Sequence, residues 1–447
     1  MKKSDDSLAA LAMNEALASG ATAAEAFLTR SSSTTVDVSG GETEDIKVRE
    51  GSGIGIRVMV DDRLGFAHTS ELNDSGIRRA AKEAIANAES AFPDSYNRLP
   101  GAADKYVEID RFDKRLVELG LDDRIGRALQ VETSARAYDK RITKVRKANI
   151  SDSFYEVHLV NSNGVILQHR GTACSASILA VAEDGGEAQM GWDFDHSFRF
   201  DDLQVERVGR SAAERAVELL GGRQAESAAV PVILDAPVAS EFLSAVGHAL
   251  LADQVQKRKS LFAGKIGEAV ASDRITVVDD GVFSRGIAPA PADGEGVASQ
   301  RTVLIDSGTL KGFLHNTYTA AKGGEESTAN GIRSSYASLP EVGPSNFYLE
   351  PGTFTRAELI EGAARAFLVT DAMGMHTINM VSGDFSVGAS GLWLTNGKVD
   401  FPVRETTIAG NVIDVLSKIE AVADDLRFFS RYGSPTLLVG NIVVSGT

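Results

Sequence analysis

Apolar positions recur at helical spacing in four segments of the first half of the chain. Residues 7–19 are rich in Ala and Leu and stop at Gly20, the pattern of a helix closed by a C-terminal glycine. Residues 77–91 form a second such segment. Residues 122–140 form a third, with Ile125, Ala128 and Leu129 on one face. A fourth, 203–220, ends at Gly221-Gly222. Strand-like runs at 24–30, 34–38 and 46–49 lie between the first two. Residues 53–60 and 64–68 read as a hairpin turned by Asp61-Asp62-Arg63. Residues 155–160 and 165–169 read as another, turned by Asn161-Ser162-Asn163-Gly164.

From about residue 221 to 229 the chain is small and polar, and beyond it the pattern changes. Short apolar runs dominate, at 230–234, 275–278, 302–305, 310–315, 366–370, 391–395, 398–401 and 436–443. Asp306-Ser307-Gly308 and Asn396-Gly397 read as hairpin turns. Helical spacing is confined to 237–252, 355–364 and 411–422. These patterns predict an α+β protein of two domains. Residues 1–222 would mix strands with long helices. Residues 229–447 would be strand-rich, a barrel-like or curved sheet.

Composition narrows the function. A chain of 447 residues with 43% hydrophobic and 24% charged residues has ordinary globular proportions. A formal net charge of −16 disfavours a grip on phosphate backbones, so no direct nucleic-acid partner is expected. Cys174 is the single cysteine, which excludes an intrachain disulfide; its apolar surroundings read as a buried structural thiol. Asp5 and Asp6 after two lysines interrupt any signal peptide, and no apolar run approaches the ~20 residues that span a bilayer. A cytoplasmic location without membrane contact is expected.

Residues 239–281 carry the most chemistry. Leu243-Ser244-Ala245-Val246-Gly247-His248 lies on a predicted helix. Lys257-Arg258-Lys259, Gly264-Lys265-Ile266-Gly267 and Val278-Asp279-Asp280-Gly281 follow. This stretch resembles the TldD/PmbA family, long named as modulators of DNA gyrase. Glu295-Gly296-Val297, Leu310-Lys311-Gly312-Phe313-Leu314, Gly383-Asp384-Phe385-Ser386 and Ile408-Ala409-Gly410-Asn411 extend the resemblance over most of the chain. Gly65-Phe66-Ala67 adds a weaker match near the N-terminus.

In the family's catalytic branch the helix carries His-Glu-x-x-x-His, and a cysteine near the C-terminus adds a ligand. The imidazoles bind zinc, and the glutamate takes a proton from metal-bound water. Here Leu243 stands at the first histidine, Ser244 at the glutamate, and only His248 remains; residues 428–433 hold no cysteine. Positions five apart lie about 140° apart on a regular helix, so Gly247 is a candidate bend that would bring His248 round. One imidazole is a poor zinc site. The resemblance therefore implies the PmbA (TldE) branch: no catalytic residue, no metal and no cofactor in this chain. It also implies a TldD-like partner subunit that supplies the zinc, an unfolded peptide substrate, and a homodimer for the chain in isolation.

Further residues merit a reading. Lys257 and Arg258 are candidate contacts to a substrate carboxylate or a partner, against the ordinary reading of a solvated basic face. Trp192, Phe194, Phe198 and Phe200 alternate with polar residues, as in a strand with one aromatic face. That face is expected to cover core, with Trp192 as the alternative partner or peptide contact. Ser386 lacks the glycine two positions before it that a nucleophile elbow requires, so the glycines at 388–391 read as a backbone turn. The other histidines, His68, His158, His169, His196, His315 and His376, show no metal-ligand spacing within one element. The alternatives to a partner subunit are an independent hydrolase built on Ser386 or distant histidines, and a non-enzymatic regulator of gyrase or another protein.

Overall fold

Two long hairpins define the first half of the molecule, a computed structural model that describes residues 4–446. The strands are β1 (Ala23–Ser39), β2 (Glu42–Val60), β3 (Arg63–Thr69), β4 (Ile142–Asn161), β5 (Ile166–Asp184) and β6 (Glu187–Ser197). They form one antiparallel sheet in the order β3-β2-β1-β4-β5-β6. Asp61 and Asp62 both adopt positive φ (48° and 63°), the backbone of a tight two-residue hairpin turn. The runs expected at 24–30 and 34–38 are one strand, as are those at 46–49 and 53–60. Ser31, Ser32 and Ser33, which look like a break in the sequence, pair with Gly51, Glu50 and Arg49 on one side and with Tyr155, Phe154 and Ser153 on the other. Ladders on both edges satisfy their backbone, so the hydroxyl run continues the strand.

Five helices accompany this sheet: α1 (Asp5–Ala18), α2 (Asp74–Ser90), α3 (Lys114–Glu118), α4 (Leu121–Arg136) and α5 (Val205–Glu218). α1 and α2 bury Leu8, Ala12, Ile77 and Ala81 against Leu28, Ile54 and Ile56. α4 and α5 bury Val131, Val208 and Ala212 against Val36, Ile150 and Ile178. Cys174 is buried in the same cluster, and burial pushes its thiol up to about 12.

The second half is strand-rich, with a barrel. Strand β7 (Ala228–Leu234) lies between Arg365–Met373, to which it is parallel, and Leu437–Ser445. Asp384–Thr395 and Lys398–Asn411 continue the sheet, and Lys398–Asn411 pairs back onto Leu437–Ser445 through Ile408 and Val444. That last pairing closes five strands into a barrel and removes its edges. A second six-stranded sheet includes Arg301–Asp306, Val277–Asp280, Phe347–Leu349, Tyr432–Ser434 and Arg427–Phe429. Helix α6 (Ala236–Ala249) follows β7 directly and shares one large core with the barrel residues Val232, Phe367 and Val439.

Three expectations are corrected here. The strand expected at 310–315 is limited to Thr309–Leu310. The helix expected at 411–422 stops at Ser417, and Ile419–Val422 pairs with Leu437–Val439 instead. The glycines at 388–391 lie within the continuous strand Asp384–Thr395, whose register shifts between Ala389 and Gly391. An added Cβ on Gly391 would meet the Leu368 carbonyl, so the glycine serves close strand packing rather than a turn.

A buried ionic network joins the two halves. Arg57 of β2 donates to Glu25 of β1 (2.7 Å) and to Glu295 of the second half (2.9 Å), and Arg333 also reaches Glu25. Glu295 further accepts from the Thr317 backbone N–H (2.7 Å). Neutral burial of these charges requires that each has its partners, so the network fixes the mutual placement of its strands.

Candidate functional site

Helix α6 begins after Asp235, with Pro237 in its first turn, where a missing N–H costs nothing. Asp235 is buried and accepts from Arg215 (2.9 Å) and Arg356 (2.7 Å). Burial alone would raise this carboxyl; Arg356 and Arg215 outweigh it and hold the group below its ordinary range. The start of the helix is thereby tied to α5 and to the helix Arg356–Glu361.

The helix is regular through Ala249, with no bend at Gly247. Gly247 instead admits the ring of Tyr432: a Cβ there would lie 2.5 Å from Tyr432 Cε1. Ser240 donates to the Tyr432 carbonyl (2.9 Å), so Tyr432–Ser434 runs along the helix. The neighbourhood 428–433 expected to approach the helix therefore does so, with a tyrosine and a glycine where a thiolate would be needed. Burial, then the charge of Asp279, pushes the Tyr432 phenol up to about 12.

The sequence-predicted positions part company on this helix. Leu243 is 3% exposed and faces an apolar cavity of about 20 Å³ with Leu234, Phe242, Val246 and Leu349. Ser244 and His248 belong to the solvent-facing stripe, together with Glu241. Ser244 Oγ donates to the Glu241 carbonyl (2.7 Å). Glu241 was not singled out from the sequence, although its spacing of three and seven from Ser244 and His248 marks one helical face. Burial, then Asp371, raises the Glu241 carboxyl, and burial raises Asp371.

The donor set does not fit zinc. It offers one imidazole, a hydroxyl engaged with its own helix, and an aliphatic side chain turned into core, where zinc takes three or four nitrogen, sulfur or carboxylate donors. Glu241 and His248 are seven residues apart, about 10.5 Å along the axis, too far to share an ion.

Among the described residues, one group has metal-like spacing: Asp5, Glu156 and His158, in the other half. His158 Nδ1 meets Asp6 (2.6 Å), and Nε2 lies 3.2 Å from Glu156 and 4.0 Å from Asp5. Arg30 holds both oxygens of Asp5 (2.5 and 2.7 Å). The cluster is an ionic clasp that fastens α1 to β1 and β4.

The remaining candidates are dispersed. Ser386 is exposed in mid-strand on Asp384–Thr395, not on a strand-to-helix turn. Lys257 pairs with Asp253 one turn earlier (2.8 Å), and Arg258 is exposed at φ 59°. Trp192 and Phe194 do lie on one face of β6, but that face is not core, contrary to the expectation. Asp193 of the opposite face is buried and paired with Arg207 and Arg427. Trp192 (36% exposed) stacks on Phe194, and both meet Phe429 of the second half, with ring centroids 6.1 and 5.1 Å away. Phe198 and Phe200 lie beyond the strand. Beside Phe194 a cavity of about 180 Å³ is lined by His196, Arg285, Arg427 and Phe428. The fold brings Trp192 to the strands that flank α6 and leaves Lys257 and Arg258 outside this cavity.

Among the described residues, no helix is long and apolar enough to cross a membrane.

Comparison with known proteins agrees with this architecture. Residues 24–88 match PmbA/TldA metallopeptidase domain 1, residues 114–220 the central domain, and residues 227–446 the C-terminal domain. A metalloprotease TldD homolog of Haemophilus influenzae is 31% identical over 90% of this chain and 90% of its own length. A metalloprotease PmbA homolog of the same organism is 29% identical over 95% of this chain and 92% of its own. The crystal structure of TldE from Thermococcus kodakarensis superposes with a TM-score of 0.91 at 26% identity, covering 97% of this chain and 99% of that one. A candidate modulator of DNA gyrase from Thermotoga maritima gives 0.92 at 25% identity, covering 99% and 100%. With all three domains matched in order along the chain, this protein belongs to the PmbA/TldD metallopeptidase family.

Proposed function

We propose that this chain is the non-catalytic subunit of a TldD-type zinc metallopeptidase complex that acts in the cytoplasm on unfolded peptides. One observation carries the reading. The helix that bears the catalytic branch's zinc motif here turns Leu243 into core and leaves Ser244 and His248 half-buried on the opposite stripe, with no thiolate on the adjoining strand Tyr432–Ser434. No step of peptide hydrolysis is routed through these residues. Their service is steric and electrostatic: α6 and its flanking strands form a wall, and the aromatic cavity at Phe194 and Phe429 adjoins the short edge strand Arg427–Phe429. An extended peptide adds to such an edge through main-chain hydrogen bonds, which give affinity with little sequence preference.

The test is reconstitution. The chain alone is expected to carry substoichiometric zinc and to leave a denatured casein substrate intact. Mixed with a TldD-like subunit, it is expected to co-purify and give chelator-sensitive cleavage, unchanged by His248→Ala or Ser244→Ala. Peptidase activity from the isolated chain that survives chelation would rule the reading out.

A further inference from the structure

We propose that the clasp at α1 is a binding site for a single exchangeable divalent transition-metal ion, held by His158 Nε2, Glu156 and Asp5. Glu156 and His158 lie two apart on β4, so both side chains point to one face of the sheet, the face on which α1 lies. Arg30 stands directly opposite Glu156 on β1, and Asp5 and Asp6 belong to the first turn of α1. One oxygen of Asp5, one of Glu156 and an imidazole nitrogen of His158 all lie within 4.8 Å of one another.

The surroundings of His158 call for a cation. The residue is 3% exposed. Its Nδ1 lies 2.6 Å from an Asp6 oxygen, which places a proton on Nδ1, because an ionised carboxylate only accepts. The neutral ring then presents its Nε2 lone pair to the cluster. Among the described residues, Nε2 has no hydrogen-bond partner. Glu156 lies 3.2 Å from it, near enough for an ion pair but not aligned for a hydrogen bond. A proton on Nε2 would not point at Glu156, whereas a metal ion between the two atoms satisfies both. With bonds of about 2.1 Å, neighbouring donors on a tetrahedral or octahedral ion stand about 3.0–3.4 Å apart, and the His158–Glu156 separation falls in that range. The Asp5 oxygen, 4.0 Å from Nε2, joins them with a shift of about half an ångström. A ligating histidine commonly donates its other ring N–H to a carboxylate, which fixes the tautomer; Asp6 occupies that place here.

Charge points the same way. Three carboxylates against the single guanidinium of Arg30 leave two negative charges around a neutral ring, and a divalent ion cancels them. The imidazole donor favours a transition ion over calcium or magnesium. Arg30 holds both oxygens of Asp5, so that carboxylate is a shared and weak ligand and the ion exchanges. The ion is therefore lost on desalting, in keeping with the low zinc content expected of the purified chain. It would join the first turn of α1 to β4 and so fasten the first helix to the sheet. The site uses none of the positions of the zinc motif on α6 and does not depend on the partner-subunit reading.

The experiment uses the full chain, stripped with chelator, desalted and titrated with Zn2+ in a calorimeter. Binding of a single ion per chain is expected. His158→Gln and Glu156→Gln are each expected to weaken it at least tenfold, and His248→Ala to leave it unchanged. Glu156 is a quarter exposed, so its substitution keeps the test valid even if the buried His158 variant fails to fold. Excess Zn2+ is expected to raise the Tm of the wild type and not that of Glu156→Gln, because a ligand of the folded state stabilises it by mass action. No binding at millimolar Zn2+, or binding indifferent to Glu156→Gln, would overturn the proposal.

Discussion

Gly247 lies against the ring of Tyr432 so closely that a methyl group at position 247 would come within 2.5 Å of Cε1. The contact binds α6 to the strand Tyr432–Ser434. Glycine in a helix interior costs about 1 kcal/mol relative to alanine, so its presence here reflects the close approach. Gly247→Ala is expected to lose stability despite its better helix propensity, because overpacking a core costs about 1–3 kcal/mol. Denaturant unfolding should show a net loss of about 1 kcal/mol.

Restoring the motif letters is expected not to restore the site. Leu243→His would place an imidazole in the apolar cavity beside Phe242 and Leu349, away from the stripe that holds Ser244 and His248. The lost burial and the unpaired ring nitrogen together predict a destabilisation of about 2–4 kcal/mol. The double variant Leu243→His/Ser244→Glu should bind no stoichiometric zinc by elemental analysis.

Arg57 is the hinge point of the ionic network between Glu25 and Glu295, both buried. Arg57→Met leaves Glu295 out of water without its cation and Glu25 with Arg333 alone. Breaking a buried pair in this way costs about 3–5 kcal/mol, measurable by thermal or denaturant unfolding. Removing Arg57 together with Glu295, as Arg57→Met/Glu295→Gln, leaves Glu25 paired with Arg333 and should recover part of that loss.

His169 gives the fold an acid-sensitive group. Burial first, and His158 second, depress its imidazole to about 4, against about 6.5 in an unfolded chain. The folded state keeps the ring neutral while the unfolded state binds a proton, so stability falls as pH drops from 6.5 towards 4 and is fully present above 6.5. At about 1.4 kcal/mol per pKa unit, the stability advantage of the wild type over His169→Gln should shrink by up to about 3 kcal/mol across that window. Asp293, raised to about 7 by burial and by Glu295, acts in the opposite sense; the comparison between the two chains cancels its contribution.

The residue types on the helix and its adjoining strand were legible from the sequence. Leu243, Ser244 and the lack of a cysteine at 428–433 are read directly off the chain. The hairpin turns at 61–62, 307–308 and 396–397 were plain, since Asp61, Asp62, Gly308, Asn396 and Gly397 are of types that tolerate the positive φ such turns impose. The orientation of the aromatic face of β6 was not legible: period two says that Trp192 and Phe194 share a face, but not which face the helix α5 covers. Asp193 took the buried side because Arg207 and Arg427, distant in sequence, arrive to neutralise it.

The order of most strands and helices along the chain and the turn positions follow from the sequence by itself, because each depends on a residue's own conformational preference. The fusion of short runs into strands of 17 to 20 residues, the barrel closure between Ile408 and Val444, and the joining of the two halves through Arg57 and Glu295 were settled only in three dimensions. Hydrogen-bond partners and counter-ions for these groups lie far along the chain, and a polar residue reveals its place only when its partner is beside it.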